Sequence, residues 1–249
     1  MDMQTFSDRQ NAVFVRAFPM LVLGFAGGFF DAYTYVARGG VFCNAQTGNL
    51  ILMALGLASG RGLSSFRYLV PVIFFVLASF VGEAASRFAF RRAGENKNGG
   101  GLFYYHLVVL IAEIVILTAV GFIPASFPAL LPNALISSAA ALQFHAFRDM
   151  NGIPLSTVFC TNNLRLLSGH VFAAFADRDR AALKRAGKYL LLIACFLAGV
   201  VGGYFLTAWA MHYAILFVSA LFSALAVWGL LARRAARKNK RDTEEKEVP

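Results

Sequence analysis

Two short runs carry the side chains whose types and spacing could do chemistry. In VFCNAQTGNLIL, Val41 to Leu52, the residues Asn44, Gln46, Thr47 and Asn49 cluster around Gly48. In STVFCTNNLRLL, Ser156 to Leu167, Thr157, Thr161 and Asn163 form a second cluster. Amides and hydroxyls supply both donors and acceptors, so each cluster can bind a polar solute or satisfy backbone groups left unpaired by a broken helix. Glycine at position 48 permits the break. Asp31, Glu113, His145, Arg148 and Arg165 are ionisable residues within or beside apolar sequence, where a charge costs about 3 kcal/mol or more on insertion scales. Residues so placed mark substrate or proton sites, and Asp31, Glu113 and His145 suit proton coupling. Plainer roles stand beside these: Asp31 as an interfacial acid or the partner of Arg148 or Arg38, Arg148 as an interface residue, His145 as packing, and Arg165 snorkelling to a surface.

No arrangement points to an enzyme. The chain has no Gly-rich phosphate loop, no paired-histidine zinc motif and no GxSxG elbow. His106, His145, His170 and His212 are dispersed, and the three cysteines, Cys43, Cys160 and Cys195, lie in apolar sequence without metal-ligand spacing. Neither a disulfide nor a metal nor another cofactor is expected.

The elements that must position these residues are membrane helices. Of 249 residues, 58% are hydrophobic and 14% charged, and the mean hydropathy is +0.62, too apolar for an ordinary water-soluble domain. Blocks of bilayer-spanning length run from Phe14 to Val36, Tyr68 to Ala89, Leu102 to Phe122, Ala129 to Phe147, Tyr189 to Ala210 and Met211 to Leu231. Two further apolar blocks, Val41 to Ser59 and Ser156 to Phe175, contain the polar clusters. The net charge of +10 is concentrated between and after the blocks, notably in RRAARKNKR from Arg233 to Arg241. Such a tail suits anionic lipid at the cytoplasmic surface rather than nucleic acid. The closing DTEEKEVP reads as disordered.

The clusters also repeat. Thr47, Asn49 and Leu50 recur as Thr161, Asn163 and Leu164, an offset of 161 − 47 = 114. The same offset sets Asp31 opposite His145 and Ala32 opposite Ala146. Further on, Tyr68, Leu69, Phe75 and Gly82 match Tyr189, Leu190, Phe196 and Gly203 at an offset of 121. Order and spacing together predict a duplication. If both polar-centred blocks dip in and return, Arg38, Arg61 and Arg67 are the basic residues left outside, and the rest of the 23 lie inside. Full crossing by both would weaken that bias and strand Arg165 in the bilayer. The expected fold is therefore all-α, with six transmembrane helices and two re-entrant or broken helices in two inverted repeats. Residues 1–12 and 233–249 are assigned to the cytoplasm, 13–123 to the first repeat and 124–232 to the second. Gly24 with Gly28, and Gly199 with Gly203, have the spacing of close helix contacts, and Trp209 with Tyr213 reads as an interfacial anchor.

The run GGFFDAYTYVARGGVFCNAQTGN, carrying Gly28, Asp31, Ala32, Val41, Phe42, Thr47, Gly48 and Asn49, resembles the first signature of the YoaK-like family of bacterial inner-membrane proteins. LQFHAFRDMNGIPLSTVFCTNNL, carrying Ala146, Arg148, Gly152, Thr157 and Thr161, resembles the second. Asn162 departs from an expected glycine and His145 from an expected asparagine, so the two halves are not strictly symmetric. The resemblance spans about Met20 to Leu231 and implies a multi-helix protein of the bacterial inner membrane, with no substrate attached.

These readings predict a small-solute transporter or channel whose site lies where the halves meet: Asp31, Asn44, Gln46, Thr47, Gly48, Asn49, Thr157, Thr161 and Asn163 bind the solute, and Asp31, Glu113, His145, Arg148 and Arg165 are coupling candidates. The partners expected are the bilayer, anionic lipid at the tail, a small molecule or ion, and further copies in a homo-oligomer. A membrane scaffold with a lipid-binding tail, or a membrane enzyme, are the alternatives.

Overall fold

The computed structural model describes residues 13–95 and 101–247; the N-terminus, 1–12, lies outside the described residues. The α-helices are α1 (Ala17–Ala37), α2 (Gln46–Ala58), α3 (Leu69–Glu95), α4 (Gly101–Gly121), α5 (Leu130–Ala146), α6 (Cys160–Ala176), α7 (Arg180–Ala210) and α8 (Ile215–Glu247). Short 3-10 turns at Val13–Val15, Gly62–Tyr68 and Met211–Ala214, and a two-stranded hairpin of β1 (Asp149–Met150) and β2 (Ile153–Pro154), complete the described chain. The all-α expectation holds apart from that hairpin. The acidic end does not follow the expected disorder, since the backbone of α8 continues through it to Glu247.

Among the described residues, four segments are long and apolar enough to cross a membrane: Ala17–Ala37, Gly62–Ala89, Gly101–Gly121 and Arg180–Asn239. The last spans 60 residues and holds both α7 and α8, joined at the Met211 corner where φ is 51°. At 17 residues α5 is shorter than these. With 13 residues, α2 is about 20 Å long, too short to cross.

Side-chain contacts give each helix a direction. The end of the bundle where α1 starts is called the near end, and the end where it finishes the far end. Arg38, just past α1, reaches Val120, Ile123 and Pro124 at the finish of α4, and Tyr33 Oη donates to His212 O in the corner after α7. Hence α1, α4 and α7 all finish at the far end. His106, early in α4, lies 3.0 Å from the carbonyl of Ala146, the last residue of α5, so α5 finishes at the near end, as do α3, which leads into α4, and α8, which leaves the far-end corner.

Two parallel pairs make the frame. In the first, α1 lies along α7 with no room for side chains between them: a Cβ on Gly28 would meet the Phe196 carbonyl, and one on Gly199 would meet the Phe25 carbonyl. Gly24 faces Leu192, and Gly203 faces Phe29 and Ala32, so both glycine pairs serve the close contact their spacing predicts. In the second pair α3 lies along α5, with Gly82 against His145 and Phe75 against Phe144. Within α7 the first turn is capped by Asp179, whose carboxylate accepts from the Ala181 N–H at 2.7 Å. Backbone N–H donation from Ala182 and Ala181 holds its pKa below the ordinary aspartate value.

Candidate functional site

The two interrupted segments are built alike. Asn49 Oδ1 accepts the Phe42 N–H (3.0 Å) and its Nδ2 donates to Phe42 O (2.6 Å). Asn163 Oδ1 accepts the Ser156 N–H (3.0 Å) and its Nδ2 donates to Ser156 O (2.6 Å). Each asparagine is the fourth residue of its helix and reaches seven residues back. The clasp closes the non-helical turn before α2 or α6 and satisfies backbone that hydrocarbon would leave unpaired. Gln46 adds to the first turn by donating to Cys43 O at 2.6 Å, and Ser156 Oγ adds to the second by accepting the Phe159 N–H at 3.0 Å.

Both turns dock in the middle of the bundle, on one stripe of α1. Leu23, Gly27 and Asp31 follow each other at four-residue spacing and share a face. Gly27 is the eleventh residue of the 21-residue α1, about 15 Å from either end of the helix. Its carbonyl accepts Asn44 Nδ2 at 2.7 Å, and the place of its missing side chain is filled by the carbonyl of Thr157. One turn earlier, Leu23 O accepts Gln143 Nε2 at 3.1 Å, and the same nitrogen lies 3.0 Å from Thr157 Oγ1. One turn later, Asp31 Oδ1 accepts the Asn44 N–H at 2.8 Å and faces Cys43 Sγ at 3.5 Å. Asp31 is 8% exposed. Its carboxyl therefore sits at the start of α2, where free N–H groups and the helix dipole favour negative charge. It pairs with neither Arg38 nor Arg148.

From the α1 stripe the chain leaves in opposite directions. After α1 finishes at the far end, residues 38–45 run back to the level of Gly27, and α2 returns to the far end, where the Gly62–Tyr68 turn starts α3. After α5 finishes at the near end, residues 147–159 run back to Gly27, and α6 returns to the near end, where α7 starts. The first excursion is held by the opposite half of the chain: Ser137 Oγ donates to Cys43 O (3.0 Å) and Asn133 Nδ2 to Arg38 O (2.9 Å). Arg38, 1% exposed, closes the far end by donating to Tyr33 Oη and to the carbonyls of Val120, Ile123 and Pro124.

The expected site residues separate into groups. Asp31, Asn44, Asn49, Thr157 and Asn163 are buried and meet at or beside the stripe. Gln46 and Gly48 are half-buried, while Thr47 and Thr161 are exposed on the outer faces of their helices. Arg148 and Arg165 are also exposed, and Arg165 donates to its neighbour Asn162 at 3.2 Å. His145 faces Glu83 at 3.6 Å, longer than a hydrogen bond, while Glu83 itself pairs with Arg87 at 2.7 Å. Thus His145 does not hold α6 as Asp31 holds α2. Glu113 stands apart in mid-α4 at 0% exposure, with neither carboxyl oxygen hydrogen-bonded. Ionised, it would lack any hydrogen bond to offset its transfer from water.

Sequence reasoning missed Gln143, Ser137, Asn133, Ser156 and the contact role of Gly27. A signal existed for two of them, since Asn133 and Ser137 lie one helical turn apart inside an apolar block. Beside Asp31, between α1 and α7, an apolar recess of about 280 Å³ is bordered by Tyr35, Phe42, Phe196 and Tyr204.

An apolar all-α bundle with two interrupted helices meeting inside it is a membrane-type architecture. The chain belongs to the family described as protein of unknown function (DUF1275), whose profile matches residues 20–228. No curated protein and no solved structure matches it.

Proposed function

We propose that the chain is a polytopic protein of the bacterial inner membrane, of YoaK-like type, with both termini cytoplasmic, and that it moves a small solute between the two turns docked on α1. In this reading α1, α3, α4, α5, α7 and α8 make six crossings, and α2 and α6 are re-entrant from opposite faces. Residues 13–123 and 124–232 are then inverted copies of one unit. Corresponding helices run in opposite directions, the Asn49 and Asn163 clasps coincide at the 114-residue offset, and the α1–α7 contact is mirrored by α5–α3. These features support the inversion. The observation that carries the functional reading is the meeting of the two turns at Gly27, halfway along a helix of spanning length, because polar non-helical backbone at that depth is where carriers place their sites.

The protein works without a cofactor and is not an enzyme in this reading. Its basic segment from Arg233 engages anionic lipid, it associates with further copies, and it does not bind nucleic acid. The test is uptake into proteoliposomes across a panel of labelled small solutes. Saturable uptake of one of them, abolished in Asn44→Ala and Thr157→Val, is expected. If no solute is taken up, and the cellular phenotype survives alanine at Asp31, Thr47, Asn49 and Thr161 but not deletion of the basic tail, the protein is a scaffold.

A further inference from the structure

Two buried hydrogen-bond acceptors at the centre of the bundle are left unused. Asn44 and Gln143 hang their NH2 groups from the carbonyls of Gly27 and Leu23, one turn apart on α1. Thr157 meets Gly27 through its carbonyl and Gln143 Nε2 through its hydroxyl. Carbonyls only accept, so neither amide can be turned over without setting oxygen against oxygen, and the orientation of both groups is fixed by their partners. The amide oxygens left over, Asn44 Oδ1 and Gln143 Oε1, are fully buried and have no hydrogen-bond partner.

The side-chain amide nitrogens around them each hold a carbonyl. Asn49 Nδ2 binds Phe42 O and Gln46 Oε1, Gln46 Nε2 binds Cys43 O, and Asn163 Nδ2 binds Ser156 O and Phe159 O. The start of α2, which would otherwise attract an anion, already holds the carboxyl of Asp31. Arg38 is engaged by Tyr33 and the α4 carbonyls, while Arg148 and Arg165 face outward.

We infer that the solute is recognised as a hydrogen-bond donor or cation, a monovalent metal ion or a small ammonium-bearing molecule, received by Asn44 Oδ1 and Gln143 Oε1 with Asp31 one turn away. This deepens the proposed function and rests on its reading of the docked turns as the solute site. A carbonyl oxygen suits an alkali cation and an N–H donor equally well, so the source of the charge is left to the experiment.

The test is thermal unfolding of the full chain in lipid nanodiscs, titrated at constant ionic strength in a choline chloride background. The probes are sodium, potassium, ammonium and methylammonium chlorides, and separately choline formate and choline phosphate. A saturable rise in unfolding temperature is expected with at least one of the four cations. A response to sodium or potassium assigns a metal ion, and one to ammonium or methylammonium assigns an amine. In Gln143→Met, which removes the oxygen at similar size, the apparent affinity should fall about tenfold or more. If that variant does not fold, Asn44→Ser takes its place, and the wild-type titration decides in either case. The inference is overturned if no cation gives a saturable shift, if formate or phosphate gives one instead, or if the cation shift is unchanged in a folded variant. Binding is read here without movement. A cation shift without uptake into proteoliposomes ends the transport reading and keeps this one, and uptake of an anion does the reverse.

Discussion

Asn49 and Asn163, 114 positions apart, hold the starts of α2 and α6 with the same two hydrogen bonds, each pairing with both backbone groups of the residue seven places earlier. The same two-bond clasp in two short, interrupted helices coincides with the 114-residue offset at which Thr47, Asn49 and Leu50 match Thr161, Asn163 and Leu164. Its consequences can be measured.

Removing either clasp leaves a backbone N–H and C=O without partners, buried at Ser156 and partly buried at Phe42. Asn49→Leu and Asn163→Leu should each destabilise the protein by about 2–4 kcal/mol, at about 1–3 kcal/mol per orphaned group. Reversible unfolding in detergent measures this, and a loss within about 0.5 kcal/mol, ordinary for a surface change, would contradict the assigned role.

The α1–α7 contact has no space for a methyl group at its centre. Gly28→Ala and Gly199→Ala would each drive a Cβ into a backbone carbonyl of the facing helix, so each should lower stability by about 1–3 kcal/mol or prevent folding. Gly187→Ala, helical and with open space at its Cβ, should be neutral or stabilise by up to about 1 kcal/mol. Expression yield and unfolding temperature of the three variants check the contrast.

Arg38 serves as the far-end latch. Arg38→Met removes donors from the carbonyls of Val120, Ile123 and Pro124 and from Tyr33, with a loss of about 2–4 kcal/mol expected from orphaned acceptors. Cys43, buried beneath this end, should then react faster with a small thiol reagent in a background lacking Cys160 and Cys195. An unchanged rate would show that Arg38 does not control access.

The buried carboxyl of Glu113 has no hydrogen bond to lose. Glu113→Leu should therefore raise stability by about 1–3 kcal/mol, while solute movement falls if the acid is used in coupling. A drop in stability would reveal an interaction supporting the acid.

The Asp179 cap predicts a pH dependence. Because its folded pKa lies below the unfolded value, the stabilisation is full above the unfolded value of about 3.9 and is lost as pH falls through the folded one. Wild type and Asp179→Ala should thus differ in unfolding temperature at neutral pH and converge in strong acid.

How much was legible in the sequence depended on the range of each interaction. The polar clusters were visible because an interrupted membrane helix must satisfy its backbone locally, and Asn49 and Asn163 sit in the same run as the groups they serve, although both were expected to bind solute rather than to close the turn. The glycine pairs were visible because close helix contact demands small residues at fixed spacing. Gln143, Asn133 and Ser137 escaped because their partners are the carbonyls of Leu23, Arg38 and Cys43, 94 to 120 residues away, and nothing local in an apolar helix announces such a bond. Thr47 and Thr161 misled for the converse reason. Their positions match at the 114-residue offset, yet both are exposed, since the first turns of α2 and α6 bury the asparagine face instead.

The central claim is that the two turns enter the bundle from opposite faces of the membrane. Single cysteines at Ser59, Ser126 and Ser168, all exposed, can be labelled in intact cells and in inverted vesicles, in a background without Cys43, Cys160 and Cys195. Labelling of Ser59 and Ser126 from outside and Ser168 from inside is predicted. Labelling of Ser59 and Ser168 from the same face would contradict the inverted arrangement and, with it, the account of a solute site formed where the two turns meet.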